Sequence, residues 1–146
     1  MSRSAFSPIP AGHYDMLRRA LKAAGLPTDD LAEPDRLFFQ LSDDQGPIGF
    51  VGLEGKGDDR LLRSLVVLPT HKRKGYGGSL VAHVEAFARE ERVERVHLLT
   101  IDAADFFRAR GYGPADRATA PVAISGTAQF ASLCPASAVY LVKELT

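Results

Sequence analysis

An apolar strand predicted over residues 61–68 leads into a turn that could bind an anion. Three cations and three glycines form this glycine-rich turn: Lys72, Arg73, Lys74, Gly75, Gly77 and Gly78. Glycine lacks a Cβ, so backbone N–H groups can approach an anion closely. A helix predicted to begin in the turn adds the positive end of its dipole. The turn therefore predicts a pyrophosphate site.

The glycine spacing excludes two common nucleotide-binding loops. A Walker loop has the pattern Gly-x-x-x-x-Gly-Lys-Ser/Thr, and a dinucleotide-binding fingerprint has Gly-x-Gly-x-x-Gly. Neither pattern occurs between residues 61 and 80. Taken alone, the turn has a simpler alternative, a solvated basic run with no ligand.

Length and composition predict one globular domain over residues 1–146, with 45% hydrophobic and 25% charged residues. Eighteen basic residues balance eighteen acidic ones, which argues against a nucleic-acid partner or a membrane surface. A single cysteine, Cys134, cannot form an intramolecular disulfide and fits a reducing compartment. No stretch has the apolar length of a signal peptide core or a membrane span. We therefore expect a cytoplasmic protein.

Apolar spacing and chain breakers predict an alternation of strands and helices. Strands are predicted over 5–9, 37–41, 48–54, 61–68, 93–100 and 138–145, and helices over 13–26, from the glycine-rich turn to about 92, and over 103–110. Residues 27–34 are acidic and contain two prolines, which predicts a loop or short helical turn that could lie over a binding site. Residues 114–125 show no regular pattern, and 127–133 predict one more helical piece.

Two motifs resemble those of the GNAT N-acetyltransferases. Basic-x-x-Gly-x-Gly after a strand ending Val-x-Pro resembles their acetyl-CoA pyrophosphate loop, with Lys72 where the family usually has Arg or Gln. The segment Ala103-x-x-Phe-Phe-x-x-x-Gly-Tyr112 resembles the family's Ala-x-x-Phe-Tyr-x-x-x-Gly-Phe. The resemblance covers essentially the whole chain. It implies an α/β GNAT fold, a mixed, mostly antiparallel sheet with splayed parallel fourth and fifth strands, flanked by helices.

The closing segment narrows the resemblance to one subgroup. Arg117-x-x-x-Pro-x-x-Ile-x-x-Thr-x-x-Phe-x-x-Leu-Cys-Pro-x-Ser-Ala138, together with Leu-Leu-Thr100, resembles the arsenic-resistance, or ArsN-type, N-acetyltransferases. This likeness implies a link to arsenic resistance and detoxification but fixes no substrate. One thiol is weak evidence for arsenic binding, because metalloid sites normally use two or three sulfurs. We expect Cys134 to be structural.

The family resemblance implies acetyl-CoA as cosubstrate, a small-molecule amine as acceptor and no metal. It assigns the acetyl carbonyl to backbone N–H groups of the fourth strand and the pyrophosphate to residues 73–78. The residues expected to contact the coenzyme are Leu65, Val66, Val67, Lys72, Arg73, Lys74, Gly75, Tyr76, Gly77, Gly78, Thr100 and Phe107. Asp102 and Asp105 are interpreted as solvated acids at a helix start. Many GNAT proteins dimerise, so a homodimer is possible.

Two positions depart from the family pattern. Phe107 replaces a tyrosine that in many GNAT enzymes protonates the departing thiolate, so that proton must come from another group or from water. Thr100 replaces an asparagine at the end of the fifth strand, and it can still donate a hydrogen bond. The missing tyrosine motivates an alternative function, a non-catalytic acyl-CoA-binding or regulatory domain.

Three further residues are candidates for catalysis or acceptor binding. Glu54 and His97 could each remove the ammonium proton, directly or through water; otherwise Glu54 is a solvated charge and His97 a structural residue. Arg63, on the fourth strand, could bind an anionic, amino-acid-like acceptor. Its alternative is a surface pairing with Asp58 or Asp59.

Overall fold

A computed structural model describes residues 4–133 and 137–145 as a seven-stranded sheet flanked by helices. The elements in chain order are β1 (Ala5–Pro8), α1 (Asp15–Ala23), β2 (Arg36–Asp43), β3 (Gly46–Glu54), β4 (Asp59–Val67), α2 (Tyr76–Glu90), β5 (Arg95–Thr100), α3 (Ala104–Arg108), β6 (Gly113–Pro114), α4 (Val122–Ser125) and β7 (Val139–Glu144). The strand order is β1-β2-β3-β4-β5-β7-β6. The predicted GNAT fold is confirmed.

Strands β4 and β5 form the parallel pair, and they separate along their length. Their pairing runs only from Asp59 opposite Arg95 to Leu61 opposite His97. The β3–β4 register is irregular just beyond this point, and Ser64 adopts a left-handed φ of 58° there. From Arg63 to Val66, β4 has one residue more than the segment of β3 opposite it. An extra residue of this kind bends a strand and increases its twist. The sheet therefore opens into a gap between the C-terminal halves of β4 and β5.

Helices cover both faces of the sheet and bury apolar side chains against it. On one face, α1 places Leu17 and Leu21 against Phe38 and Val66. On the other face, α2 contributes Leu80, Val81, Val84 and Ala88 to the larger core. Both helices show the three- and four-residue apolar spacing of amphipathic helices. Among the described helices, none has the length and apolarity needed to cross a membrane.

Residues 114–125 are more regular than predicted. Two residues, Gly113 and Pro114, pair with β7, and a 3-10 turn follows over Arg117–Thr119, capped by the Asp116 side chain. Helix α4 then begins directly after Pro121. These elements are too short to show periodicity in a sequence. The helical piece predicted over 127–133 is a π-helical turn over Gln129–Leu133, and Cys134 lies outside the described residues.

Candidate active site

The gap between β4 and β5 opens a cavity of about 320 Å³. Arg63, Ser64 and Leu65 line it from β4, and Thr100 lines it from β5. Phe107 of α3 lines it as well. Other lining residues are Ala24, Gly25, Leu26, Pro27, Leu62, Leu98, Leu99, Ile101, Asp102, Ala103, Gln129 and Ala138. The cavity thus brings together Arg63, which was predicted to bind the acceptor, and three residues that were predicted to contact the coenzyme. These three are Leu65, Thr100 and Phe107.

The ladder between β3 and β4 determines which backbone groups face the gap. Leu68 donates its N–H to the carbonyl of Ile48 at 2.8 Å, and Val66 lies opposite Phe50 two pairs further along. Backbone groups of successive residues point to opposite sides of an antiparallel strand, so those of Leu68 and Val66 both point toward β3. We therefore expect the N–H of Val67, rather than that of Val66, to point into the gap.

The glycine-rich turn leads directly into α2. Arg73 and Gly75 adopt left-handed φ values of 65° and 81°, and Gly75 is the N-cap residue, which has no side chain to cap the helix. The first internal α2 bond joins the N–H of Ser79 to the carbonyl of Gly75 at 3.3 Å. The N–H groups of residues 76–78 therefore precede the helical ladder. They lie beside the exposed cations at 72–74, which is the arrangement that the predicted anion site requires.

Two glycines of this turn are packed against α3 and the residues after it. A Cβ on Gly77 would lie 3.2 Å from the Phe106 ring, and one on Gly78 would lie 2.8 Å from the Arg110 guanidinium. Arg110 stacks on Phe106, with 3.7 Å between its Cζ atom and the ring centroid. Close packing is thus a second reason for glycine at both positions. It places Arg110, a cation that the sequence analysis did not single out, beside the first turn of α2.

A buried network of two arginines and two carboxylates lies beside the cavity. Both Arg63 Nη atoms donate to the Asp30 carboxylate at 2.6 Å, and Nη1 also donates to Glu54 Oε1 at 2.8 Å. Arg36 Nη2 lies 3.0 Å from Asp30 Oδ2 and 3.4 Å from Glu54 Oε2. Burial alone would raise the pKa of Asp30, but the hydrogen bonds and charges of Arg63 and Arg36 outweigh it and lower the pKa. Asp30 belongs to the loop after α1 that was predicted to cover a site.

The network corrects the interpretation of Arg63 and Glu54. The alternative pairing of Arg63 with Asp58 or Asp59 is wrong, because Asp30 and Glu54 hold its guanidinium. Glu54 is buried and bound to Arg63 rather than solvated, and it is not among the cavity residues. An anionic acceptor would therefore have to compete with two internal carboxylates for Arg63.

The other candidate base, His97, is held in a second buried chain of hydrogen bonds. Its Nδ1 lies 2.7 Å from the Tyr140 hydroxyl, and its Nε2 lies 2.7 Å from Asp59 Oδ1. Asp59 also accepts from Arg95 Nε at 2.7 Å. Burial lowers the pKa of His97 despite the neighbouring Asp59 charge. Both ring nitrogens are engaged and His97 is not among the cavity residues, so this geometry favours the structural interpretation.

Phe107 lines the cavity at the position where the motif resemblance leads us to expect a tyrosine. Its buried ring packs edge-on against Phe106 and Tyr112. The nearby Tyr112 hydroxyl donates to Glu85 Oε2 at 2.8 Å, and Lys143 donates to Glu85 Oε1 at 2.9 Å. Burial and the Glu85 charge raise the pKa of Tyr112 above its usual range. Tyr112 is therefore part of the core and does not replace the missing proton donor.

Three residues that bear on the site did not stand out in the sequence. Asp30 lies in an irregular acidic loop, Arg110 sits inside the second motif, and Asp102 was interpreted only as a helix-start acid. Asp102 in fact lines the cavity. Only one of these positions carried a usable signal, because Arg110 follows Phe106 by four residues, the spacing that brings side chains together on a helix.

Comparisons with known proteins agree with the fold and the motifs. The model of the acetyltransferase (GNAT) family matches residues 5–112. N-acetylglutamate synthase from Neisseria gonorrhoeae, complexed with coenzyme A and L-arginine, is similar with a TM-score of 0.79 and 20% identity, over 97% of this chain and 33% of that chain. This chain therefore spans about a third of the length of the Neisseria enzyme. A comparison with curated proteins gives no match.

Two further solved structures match along nearly their whole length. An acetyltransferase of the GNAT family from Staphylococcus aureus Mu50 has a TM-score of 0.79 and 15% identity, over 99% of this chain and 100% of that chain. The ribosomal-protein-S18-alanine N-acetyltransferase from Escherichia coli has a TM-score of 0.75 and 14% identity, over 99% of this chain and 95% of that chain. At these identities the likeness shows the fold alone.

Proposed function

Because the chain belongs to the GNAT acetyltransferase family, we propose that it is an N-acetyltransferase that uses acetyl-CoA to acetylate a small-molecule amine. The observation that carries the proposal is the position of the β4–β5 gap beside an uncapped helix N-terminus. The cavity has room for an acetyl group and a small acceptor. The start of α2 offers backbone N–H groups to a pyrophosphate.

The residues of this chain fit acetyl-CoA, which when bound supplies an acetyl thioester. The N–H groups of residues 76–78 and the cations before them would hold the pyrophosphate. The N–H of Val67 would polarise a carbonyl in the gap, as a preorganised donor does in acyl transfer. Thr100 Oγ1 accepts from the N–H of Ala103 at 3.0 Å, and its hydroxyl proton would be available to a partner in the cavity.

Proton transfer in this site differs from that in enzymes with a tyrosine at the Phe107 position. Phe107 has no exchangeable proton, so the proposal assigns protonation of the departing thiolate to water. Glu54 and His97 remain predicted bases, but each is already held by other side chains. The same features favour the second candidate function, an acyl-CoA-binding or regulatory domain without catalysis.

The acceptor class and the biological setting are further parts of the proposal. Arg63 is the basis for predicting an anionic acceptor, but Asp30 and Glu54 already hold its guanidinium. The subgroup resemblance supports an amino-acid-like or xenobiotic amine and a link to arsenic resistance. The single cysteine supports a cytoplasmic location. Growth of an arsenic-sensitive host with and without the gene, on inorganic and on amino-bearing organic arsenicals, tests the arsenic link. Equal growth with both genotypes would contradict it.

Coenzyme binding is required by both candidate functions, so it is the first part of the proposal to test. A ligand that binds only the folded state stabilises it by mass action, by about 2.7 kcal/mol at a concentration of about 100 times Kd. We expect coenzyme A and acetyl-CoA to raise the Tm, and adenosine without phosphates to raise it much less. An unchanged Tm with coenzyme A at about millimolar concentration would contradict both the enzyme and the acyl-CoA-binding alternative.

A further inference from the structure

The cavity residues carry two formal charges, which bear on the charge of the acceptor. Of the described residues that line the cavity, only Arg63 and Asp102 are charged. Their environments are opposite, because Arg63 is buried among carboxylates and Asp102 is exposed to solvent. The net charge that an acceptor meets in the cavity therefore depends on whether neighbouring protein groups of opposite charge already pair with Arg63 and with Asp102.

The charge of Arg63 is compensated within the protein. Its side chain is 1% exposed and pairs with both Asp30 and Glu54. Arg36 is the fourth member of the network, so two cations and two carboxylates lie together. Two cations and two carboxylates sum to no net charge, so the network as a whole neither attracts nor repels a charged ligand by a net charge.

Asp102 has no such compensation. It forms no hydrogen bond or ion pair with any residue in the described ranges 4–133 and 137–145. Its neighbour Ile101, which also lines the cavity, is 66% exposed. Leu26 and Pro27 form part of the cavity wall beside α1. A carboxylate and an exposed apolar surface thus lie side by side in one cavity.

We propose that Asp102 binds the ammonium group of the acceptor, and that the acceptors are small amines with an apolar body and no carboxylate. This inference rests on the proposed function. An ammonium ion is attracted by the uncompensated charge, whereas a carboxylate would face Asp102 without a free cation among the described cavity residues. Such charge complementarity steers and selects ligands more than it adds to affinity.

The same position suits the first proton transfer. The amine must lose a proton before it attacks, and Asp102 is open to solvent, so the proton can leave to water through its carboxylate. The transfer then forms the N–C bond of the amide and breaks the C–S bond of the thioester. The second amine proton leaves to water as well, and the thiolate takes up one proton from water. No further reactant is needed.

Leucinamide and leucine test the acceptor class, because they share the ammonium group and the side chain and differ in one carboxylate. We would measure kcat/KM for both at one pH, expressed per concentration of the ammonium form, which is the form that Asp102 is proposed to bind. We expect leucinamide to be used about tenfold better, and Asp102→Asn to lower its kcat/KM by about three- to tenfold. Asp105→Asn removes an exposed acid of α3 that does not line the cavity, and it should change neither value.

A preference for leucine, or equal effects of Asp102→Asn and Asp105→Asn, would overturn the inference. Calorimetric titration with leucinamide gives a second readout that does not depend on turnover. We expect weaker binding to the Asp102→Asn variant alone, both with saturating coenzyme A and without it. If Asp102→Asn weakens amine binding while no amine is acetylated, the inference holds and the proposed function fails. Unchanged leucinamide binding in this variant would overturn the inference whatever the turnover.

Discussion

Arg63 and Asp30 join the centre of the sheet to the loop after α1 through two hydrogen bonds of 2.6 Å each. This loop includes Leu26 and Pro27, which line the cavity, and Asp30 follows a few residues later. The pair therefore fixes one wall of the cavity to β4. It also explains why an arginine can be buried beside an active site without serving the substrate directly.

Asp30→Asn should loosen this wall. Removing one partner of a buried ion pair leaves uncompensated charge and typically costs about 3–5 kcal/mol. We expect a loss of this size in urea unfolding, and in the variant that still folds an acceptor KM raised by about tenfold with little change in coenzyme A affinity. Asp59→Asn is the matched control, because it removes a carboxylate that pairs with Arg95 and His97 away from the loop. An equal rise in acceptor KM in both variants would show that the effect is not specific to the loop.

The Asp30 network should also make the free energy of unfolding depend on pH in the acidic range. The folded-state pKa of Asp30 is lowered from its ordinary value of 3.8, so the folded protein binds this proton less readily than the unfolded chain. The resulting stabilisation is complete above the unfolded-state pKa and is lost as pH falls through the folded-state pKa. Urea unfolding from about pH 6 to about pH 2 should show a shallower loss in Asp30→Asn than in the unchanged protein. Parallel curves would assign the acid dependence to other groups.

Gly77→Glu should abolish coenzyme binding. Its Cβ would lie 3.2 Å from the Phe106 ring, and its carboxylate would add negative charge where the pyrophosphate is expected. We expect the Tm increase with coenzyme A to disappear while the protein stays folded by circular dichroism. Gly113→Glu adds the same side chain at a glycine with nothing within 4 Å of the added Cβ, and it should keep the increase. A normal Tm increase in Gly77→Glu would place the coenzyme elsewhere.

Arg110→Ala should weaken coenzyme binding through lost charge. The Arg110 guanidinium lies beside Gly78 in the first turn of α2, where a cation is unfavourable unless an anion binds there. We expect a Kd for coenzyme A about three- to fivefold higher, as for a partly exposed ion pair, and a smaller effect at high salt. Arg108→Ala changes an exposed arginine at the end of α3, two residues before Arg110, and is the control. Equal affinities in the two variants would leave Arg110 a packing residue.

Phe107→Ala should reduce stability without changing how activity depends on pH. Truncating a buried phenylalanine typically costs about 3–5 kcal/mol, which unfolding curves would measure. Because water is the proposed acid, the alkaline limb of the rate profile should stay the same in Phe107→Leu, which keeps more of the packing. Loss of that limb in a folded variant would reveal a proton donor that Phe107 positions.

Much of the fold could be predicted because its signals are local. The glycine-rich turn and the Phe-Phe-x-x-x-Gly motif each occupy a few consecutive residues, and α1 and α2 show clear apolar periodicity. The partners of Arg63 could not be predicted in the same way. Asp30 is 33 residues away in a loop without periodicity, so no sequence spacing links the two residues. The roles of Glu54 and His97 depend on similar long-range contacts. Only the structure shows that both side chains already form hydrogen bonds with other side chains.

Release of free thiol from acetyl-CoA in the presence of amines shows whether the protein is a catalyst of acetyl transfer. We expect thiol to appear in step with an N-acetylated product for at least one small amine. The rate should fall to background with Gly77→Glu and persist with Gly113→Glu. Binding of acetyl-CoA without thiol release above background, across amines with anionic, neutral and cationic bodies, would contradict catalysis and leave the acyl-CoA-binding alternative.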